Sequence, residues 1–404
     1  MSWLLILLQA VTSPAAPSLD LATLETQALA RHPAIRRASA DVDAARGRAK
    51  QMGAWPNPVI GGSADELRPR ESPSGFYGGF LQQTIPLGGK LSAARAVGDR
   101  DVAVAESALA AARQQVVAGV RDRYYHLLVA EERLAVKTRL SDVAAESFVI
   151  AKQLFNVGMA DQPDVLTAEA EAARVRAELV SAGAARMSAW QQLAAAAADS
   201  SLVPQPLGVK LAEALPALDR DTTLARVLSD SGTLQEAVRQ SASAKASVDL
   251  ERRVTRPDLF LRADAGTNRE FSGGRAIGPQ YGAEAGLSIP LFNRNHGGIA
   301  AATARVLGAD ATVDDVRLEL TARFADVFAQ YDGARAMVAA YREEILPRVT
   351  RAYDLQLTKY REMAASYPVV LQAQRTLFQM TEQYLDAIDR AWMASALRSA
   401  LAIR

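Results

Sequence analysis

The chain lacks cysteine altogether and contains only three histidines among its 404 residues. The absence of cysteine excludes a disulfide framework, a thiolate metal site and a cysteine nucleophile. Positive and negative charges nearly balance, with 46 Lys and Arg against 45 Asp and Glu, so the basic excess that marks a nucleic-acid-binding face is missing as well. The composition therefore predicts neither a nucleic-acid partner nor a cofactor.

Patterns typical of catalytic and metal sites are also missing. His32, His126 and His296 lie too far apart in the sequence to form a local metal clamp on one helix. The glycine pairs at 88–89 and 297–298 lack the Lys and Ser or Thr that complete a phosphate-binding loop. We therefore expect no metal site, no catalytic residues and no enzymatic activity.

Long apolar runs are absent beyond the N-terminus. No later window offers the roughly 18 consecutive apolar residues that a membrane-spanning helix needs, so any insertion into a membrane must use strands. The first residues combine a short apolar run, Trp3 to Val11, with a small-residue exit, and they predict a secretory signal peptide at 1–16. A cytoplasmic protein with an apolar N-terminus is the alternative.

The chain contains its own second copy. Ile289-Pro290-Leu291 repeats Ile85-Pro86-Leu87 after 204 positions, and a glycine pair follows each triplet. Farther along, Tyr360 corresponds to Phe155 and Pro368 to Pro163, at an offset of 205. This nearly constant offset indicates a duplicated half. The predicted organisation is a signal peptide (1–16), a first repeat (17–203), a linker (204–221) and a second repeat (222–404).

Each repeat is predicted to contain a pair of strands, at about 56–87 and 257–291. The last strand is the clearest, because apolar and polar residues alternate from Gln280 to Leu291 and give one apolar and one polar face. Polar turns are expected at 68–75 and 271–279, with the two strand pairs inserted in a membrane and these turns on its outer side.

The remaining segments are predicted to be helical. Residues 19–52 and 222–254 are each expected to form one helix. A rod from Lys90 to about Asp199 turns back at about 156–163, and the second rod, beginning at Ile299, turns at about 361–368. A heptad seam is predicted along the second rod, with Pro347 bending or breaking the helix after it. The seam consists of Phe324, Val327, Tyr331, Ala334, Val338, Tyr341 and Ile345.

Four strands cannot close a barrel, because about eight are needed before the open edges disappear. Several copies must therefore share one barrel, and three copies would supply twelve strands. The residues from Leu21 to Pro33, the Trp55-Pro-Asn-Pro58 stretch, the two Ile-Pro-Leu triplets and the segment from Phe155 to Leu166 resemble TolC-type outer-membrane efflux proteins.

The resemblance implies a mainly α fold with a transmembrane β-barrel. It further implies a homotrimer with twelve strands in the outer-membrane lipid of a Gram-negative bacterium and a helical barrel through the periplasm. Such a trimer is the exit duct for an inner-membrane resistance-nodulation-division pump, joined through a periplasmic adaptor. Residues 290–302 are similar to the heavy-metal (CzcC- or CusC-like) subgroup and imply metal cations as cargo. A duct for drugs or other small molecules, and a periplasmic coiled-coil protein without a pore, are the alternatives.

The resemblance also implies site residues. The two tip turns are expected to dock the adaptor, and a hydrogen bond between Tyr360 and Asp164 is expected to help close the periplasmic mouth. Met363 stands where the family usually has glycine, and no cysteine is available for the lipid anchor of some members. The docking residues are Val157, Gly158, Met159, Asp161, Met363 and Ser366. The strand-to-helix joints contain Pro86, Gly88, Gly89, Pro290, Asn293, Asn295 and Gly297.

Overall fold

The structure is a computed structural model, and it describes residues 19–65, 75–205, 207, 215, 217–272 and 274–401. The predicted signal peptide, nearly all of the predicted turn at 68–75 and part of the predicted linker lie outside the described residues.

Long helices dominate the described residues, and one four-stranded sheet accompanies them. In chain order the elements are α1 (Leu21–Arg31), α2 (Pro33–Met52), β1 (Val59–Asp65), β2 (Phe76–Pro86), α3 (Lys90–Asn156), α4 (Gln162–Ala196), α5 (Arg220–Asp230), α6 (Gly232–Val254), β3 (Asp258–Ser272), β4 (Arg275–Ser288), α7 (His296–Ala340), a π-helical turn (Tyr341–Ile345), α8 (Leu346–Arg361) and α9 (Tyr367–Leu401). None of these helices is both long enough and apolar enough to cross a membrane.

Two of the predicted helices are each divided in two, so the prediction of single helices at 19–52 and 222–254 was wrong. His32 is extended, with φ −65° and ψ 128°, because the following Pro33 disfavours helical backbone in the residue before it. Pro33 then serves as the first residue of α2, where its missing N–H is not needed. Ser231 is extended in the same way and separates α5 from α6.

The sheet has the order β1-β2-β3-β4, and every neighbouring pair is antiparallel. The prediction of a polar turn at 271–279 was wrong. β3 runs to Ser272 and β4 begins at Arg275, so strand occupies most of that range. Gly274, with φ +81°, supplies the left-handed backbone that so tight a connection requires.

The two faces of the sheet differ as the alternation predicts. One face contains rows of apolar side chains, such as Ile85, Leu259 and Leu287, which are paired across three strands. On the other face Phe260 lies so close over Gly286 that a Cβ there would collide with its ring. The polar face also includes Arg262, whose guanidinium lies 4.1 Å from the centre of the Phe80 ring.

The described chain forms two compact units. The sheet unit contains the four strands, α6, most of α2 and the adjoining ends of α3 and α7. The helical unit contains α1, α4, α5, α8, α9 and the rest of α3 and α7. Two buried clusters form much of the helical core, and they join residues of α3, α4, α8 and α9, among them Val136, Val175, Tyr360, Val370 and Leu385.

The heptad seam is confirmed within the helical unit, where Phe324, Tyr331 and Val338 are all buried. Pro347 does not end the helix. A π-helical turn from Tyr341 to Ile345 comes directly before it, and the chain continues as α8. Leu346 donates its N–H to the Tyr341 carbonyl, five residues back, so the helix accommodates a proline that has no N–H to give.

Candidate functional site

The first tip turn, between α3 and α4, closes with two backbone hydrogen bonds. Gly158 donates to the Phe155 carbonyl at 2.9 Å, and Met159 donates to the Leu154 carbonyl at 2.8 Å. Gly158 has φ +76°. This pair of bonds around a left-handed residue is the Schellman motif, which satisfies the last carbonyls of a helix and reverses the chain. Asp161 then precedes α4, with Pro163 in the first turn of that helix.

The second tip turn, between α8 and α9, has the same bonds 205 positions later. Met363 donates to the Tyr360 carbonyl at 3.0 Å and Ala364 donates to the Lys359 carbonyl at 2.7 Å. Met363 takes the left-handed conformation, with φ +61°. Ser366 precedes α9 and accepts from the Val369 N–H at 3.2 Å. The two turns thus share the same pair of backbone hydrogen bonds and the same left-handed position, at the offset seen in the sequence.

Apolar side chains protrude from these turns. Val157 is 67% exposed, Met159 is 59% exposed and Met363 is 59% exposed. Asp161 and Ser366 are exposed beside them. Exposed apolar side chains at a turn are typical of a surface that contacts another protein. All six residues predicted to dock the adaptor lie in the two turns between these helices. Docking itself stays a prediction.

The proposed gate residues lie just behind the turns. Tyr360 is 4% exposed, and its ring lies 5.7 Å from that of Tyr367. Its hydroxyl is buried and has no hydrogen-bond partner among the described residues, so the predicted bond to Asp164 is not formed within one chain. Burial, with the neighbouring charge of Asp164, raises the pKa of Tyr360. Burial and the charge of Asp161 also raise the pKa of Asp164.

Sequence reasoning missed a buried carboxylate farther from the turns. The side chain of Glu171 is only 3% exposed and pairs with Arg174 at 2.5 Å and with Arg375 at 3.1 Å. Burial would raise the pKa of Glu171, but hydrogen bonds from the two arginines outweigh it and hold this pKa below its usual range. The carboxylate joins α4 to α9. In the sequence its charged neighbours resemble a solvated helix face.

The ion pairs continue along the same helices. Arg174 also binds Glu178, and Lys137 of α3 lies 2.7 Å from Glu178 and 2.9 Å from Glu382 of α9. Lys137 is only 13% exposed, so this link is shielded from water and salt. These ion pairs connect three helices behind the tip turns.

The first strand-to-helix joint depends on its glycine pair. Gly88 and Gly89 have φ +70° and +73°, and a Cβ on either would collide with the side chains of Arg256 and Arg253. Arg253 donates to the Gly88 carbonyl at 3.2 Å. Pro86 ends β2 at this point. Only glycine meets both the backbone and the steric requirement here.

The second joint uses asparagine instead. Asn295 has φ +53°, and its side chain donates to both the backbone carbonyl and the carboxylate of Glu251, at 3.0 and 2.6 Å. Asn293 accepts from the Asn295 N–H at 3.1 Å. A Cβ added at Gly297 would meet nothing within 4 Å, so this glycine plays no steric role in the second joint. Pro290 lies in the loop directly after β4.

The three histidines do not meet. His32 accepts a hydrogen bond from the Ala34 N–H at 3.2 Å, and His126 lies 3.7 Å from Asp389. His296 begins α7. Within the residues that the structure describes, no group of three or more His, Asp or Glu side chains is arranged to hold a metal ion.

Paired helical hairpins and a strand pair in each half define a class of protein. The family model described as outer membrane efflux protein matches residues 24–199 and 223–401, and the chain belongs to this family. Members of the family are channels of the outer membrane that extend into the periplasm. This chain is likewise a channel and not an enzyme.

Relatives and solved structures agree with this assignment. The cobalt-zinc-cadmium resistance protein CzcC of Cupriavidus metallidurans is 27% identical over 367 residues, covering 89% of this chain and 84% of that protein. The nickel-cobalt-cadmium resistance protein NccC of Alcaligenes xylosoxydans is 30% identical over 328 residues, 79% of this chain and 71% of that protein. A crystal structure of CusC superposes with a TM-score of 0.77 at 18% identity, covering 96% of this chain and 95% of CusC.

Proposed function

We propose that the chain forms the homotrimeric exit duct of a tripartite efflux system whose cargo is heavy-metal cations. The observation that carries the cargo is the similarity, over 78% or more of this chain, to three proteins named for resistance to cobalt, zinc, cadmium or nickel. Channels of the family work as homotrimers with an adaptor and an inner-membrane pump. The particular adaptor and pump of this chain belong to the proposal.

The sheet supports the trimer. Within the described chain β1 and β4 are the two outer strands, and each has one edge without a strand beside it. Unpaired strand edges are not tolerated in lipid, so β4 of one copy must pair with β1 of the next. Three copies of a four-stranded sheet then close into twelve strands.

Metal efflux is tested by deleting the gene in its host and restoring it. We expect the deletion to lower the tolerated concentrations of zinc, cobalt, nickel and cadmium, and to leave the tolerated concentrations of detergents and dyes unchanged. The second candidate is a duct for small organic molecules. It is favoured by a 29% identical segment, covering 38% of this chain, in the pyoverdine export protein OpmQ of Pseudomonas aeruginosa. The opposite resistance pattern would establish that alternative.

Adaptor docking at the tip turns is supported by the exposed apolar side chains of Val157 and Met159. We expect the double change Val157→Asp and Met159→Asp to abolish efflux while trimers still form, because an apolar contact would have to bury two carboxylates. Val180→Asp on α4 is the matched control, since Val180 is 72% exposed and lies away from the turns.

The readouts are the tolerated metal concentration and photo-crosslinking in intact cells from position 363, in the second tip turn, which the double variant leaves free for the crosslinker. A crosslink from this position to a periplasmic adaptor, lost in the double variant but kept in Val180→Asp, supports docking. Full efflux by the double variant would refute it.

A further inference from the structure

The loop between β4 and α7 exposes large apolar side chains that neither the tip turns nor the sheet explains. Ile289 is 59% exposed, Leu291 is 64% exposed and Phe292 is fully exposed. The segment lies within the sheet unit. An exposed cluster of this kind in a folded chain marks a surface that contacts another protein or a membrane.

The exposure is held in place by the fold. Leu291 donates its N–H to the Ile289 carbonyl at 3.0 Å, which closes a three-residue turn around Pro290. Beyond the apolar residues, Asn295 is fixed by two hydrogen bonds to Glu251 of α6. Leu291 and Phe292 therefore protrude from a loop that is fastened at both ends.

The loop continues the apolar face of the sheet. Leu287 belongs to the apolar face of the sheet, where it is paired with Leu259 and through it with Ile85. Ile289 follows it two residues later, directly after the end of the strand. Trp55, which is 62% exposed, precedes β1 at the same end of the sheet. Tryptophan at that level is typical of the boundary between hydrocarbon and headgroups.

The charge of Arg294 indicates what contacts the exposed apolar residues. Arg294 follows the apolar residues at once and is exposed. A short apolar segment with an arginine beside it matches the boundary of a phospholipid leaflet, where acyl chains meet phosphate groups. We propose that Ile289, Leu291 and Phe292 form an interfacial anchor in the periplasmic leaflet of the outer membrane, with Arg294 at the headgroup phosphates. This inference rests on the outer-membrane location of the sheet.

The absence of cysteine allows a direct test, because a single introduced cysteine can be spin-labelled without a background. Phe292→Cys and, as a second position, Leu291→Cys are labelled in purified trimers reconstituted into vesicles of phosphatidylethanolamine and phosphatidylglycerol. Collision with oxygen, which concentrates in lipid, is compared with collision with a water-soluble nickel chelate. Leu81→Cys on the apolar sheet face is the lipid reference, and Leu318→Cys on α7, 70% exposed, is the aqueous reference.

We expect labels at 292 and 291 to collide mainly with oxygen, as the label at 81 does. We also expect Arg294→Glu to move the label at 292 towards the aqueous value, and to do so more in these anionic vesicles than in phosphatidylcholine vesicles, which carry no net charge. A label at 292 that behaves like the label at 318 would overturn the anchor. Exclusion of both reagents would overturn it too, because another copy would then cover the loop. A water-accessible label at 81 would refute membrane insertion of the sheet, and the anchor with it.

Discussion

The two tip turns have the same backbone and different residues. At both, an N–H bonds five residues back across a left-handed position, but that residue is Gly158 in the first turn and Met363 in the second. Glycine adopts this conformation freely, whereas a residue with a Cβ loses roughly 1–2 kcal/mol. The duplicated halves have therefore kept the hydrogen bonds of the turn more strictly than the residue type that suits them.

The helices behind the turns differ in chemistry as well. At an offset of 205, Asp164 corresponds to Val369 and the buried Glu171 corresponds to Thr376. The first copy thus places carboxylates where the second has an apolar and a neutral side chain. The two halves therefore share the backbone of the hairpin, but only the first half has these carboxylates.

The buried carboxylate gives the largest expected effect. Replacing both Arg174 and Arg375 by Met leaves Glu171 buried without a positive partner, which should destabilise the protein by about 3–5 kcal/mol. Arg361→Met is the control, because its pair with Glu146 is half exposed on both sides and should contribute at most about 1 kcal/mol. Denaturant unfolding of purified trimers, followed by circular dichroism, measures both.

The same pair predicts a dependence on pH. The folded-state pKa of Glu171 is lowered, so its contribution is present above the unfolded value of 4.5 and is lost as the pH falls through the folded pKa. Adding Glu171→Met to the double variant should restore most of the stability. Equal losses in the double variant and in Arg361→Met would contradict a buried, paired carboxylate.

Exchanging the left-handed residues of the two turns tests how much this backbone conformation costs a residue other than glycine. Met363→Gly should stabilise the protein by about 0.5–1 kcal/mol and Gly158→Met should destabilise it by about 1–2 kcal/mol, because only φ is at issue. A Cβ at Gly158 would have nothing within 4 Å. Gly308→Met, in a regular and exposed part of α7, is the same chemical change and should stabilise by up to about 1 kcal/mol. Opposite signs at 158 and 308 are the decisive result in thermal unfolding, and stabilisation at both positions would exclude backbone strain as the cause.

The sequence predicts whatever the repeat and the periodicity determine. The offset between the Ile-Pro-Leu triplets located both joints, and the heptad spacing located the buried face around Tyr331. Prediction from the sequence failed where the backbone conformation of a single residue ends a helix. His32 and Ser231 are extended and divide helices that were predicted to be continuous. The burial of Glu171 could not be predicted from the sequence, because this burial depends on the packing of α4 against α9. No local sequence pattern indicates that packing.

The smallest expected effect concerns Asp164, whose counterpart is the apolar Val369. Its folded-state pKa is raised, so its contribution to stability is full below the unfolded value of 3.8 and is lost as the pH rises through the folded pKa. A raised pKa of Asp164 is expected for a chain in which the Tyr360 hydroxyl has no hydrogen-bond partner. If Tyr360 of one copy instead donates to Asp164 of a neighbouring copy, the bond favours the ionised carboxylate and lowers its pKa.

Conductance of trimers in planar bilayers distinguishes the two cases. If the predicted bond between Tyr360 and Asp164 joins neighbouring copies and helps to close the mouth, the conductance should be low at neutral pH. It should rise as acid protonates Asp164, because a phenol bonds a neutral carboxyl less strongly than a carboxylate. Tyr360→Phe and Asp164→Asn should each raise the conductance at neutral pH and remove this dependence, and Val369→Asn should do neither. If Tyr360→Phe leaves the conductance unchanged and stabilises the trimer by about 1–3 kcal/mol, the hydroxyl is simply buried without a partner and the gate is held by packing alone.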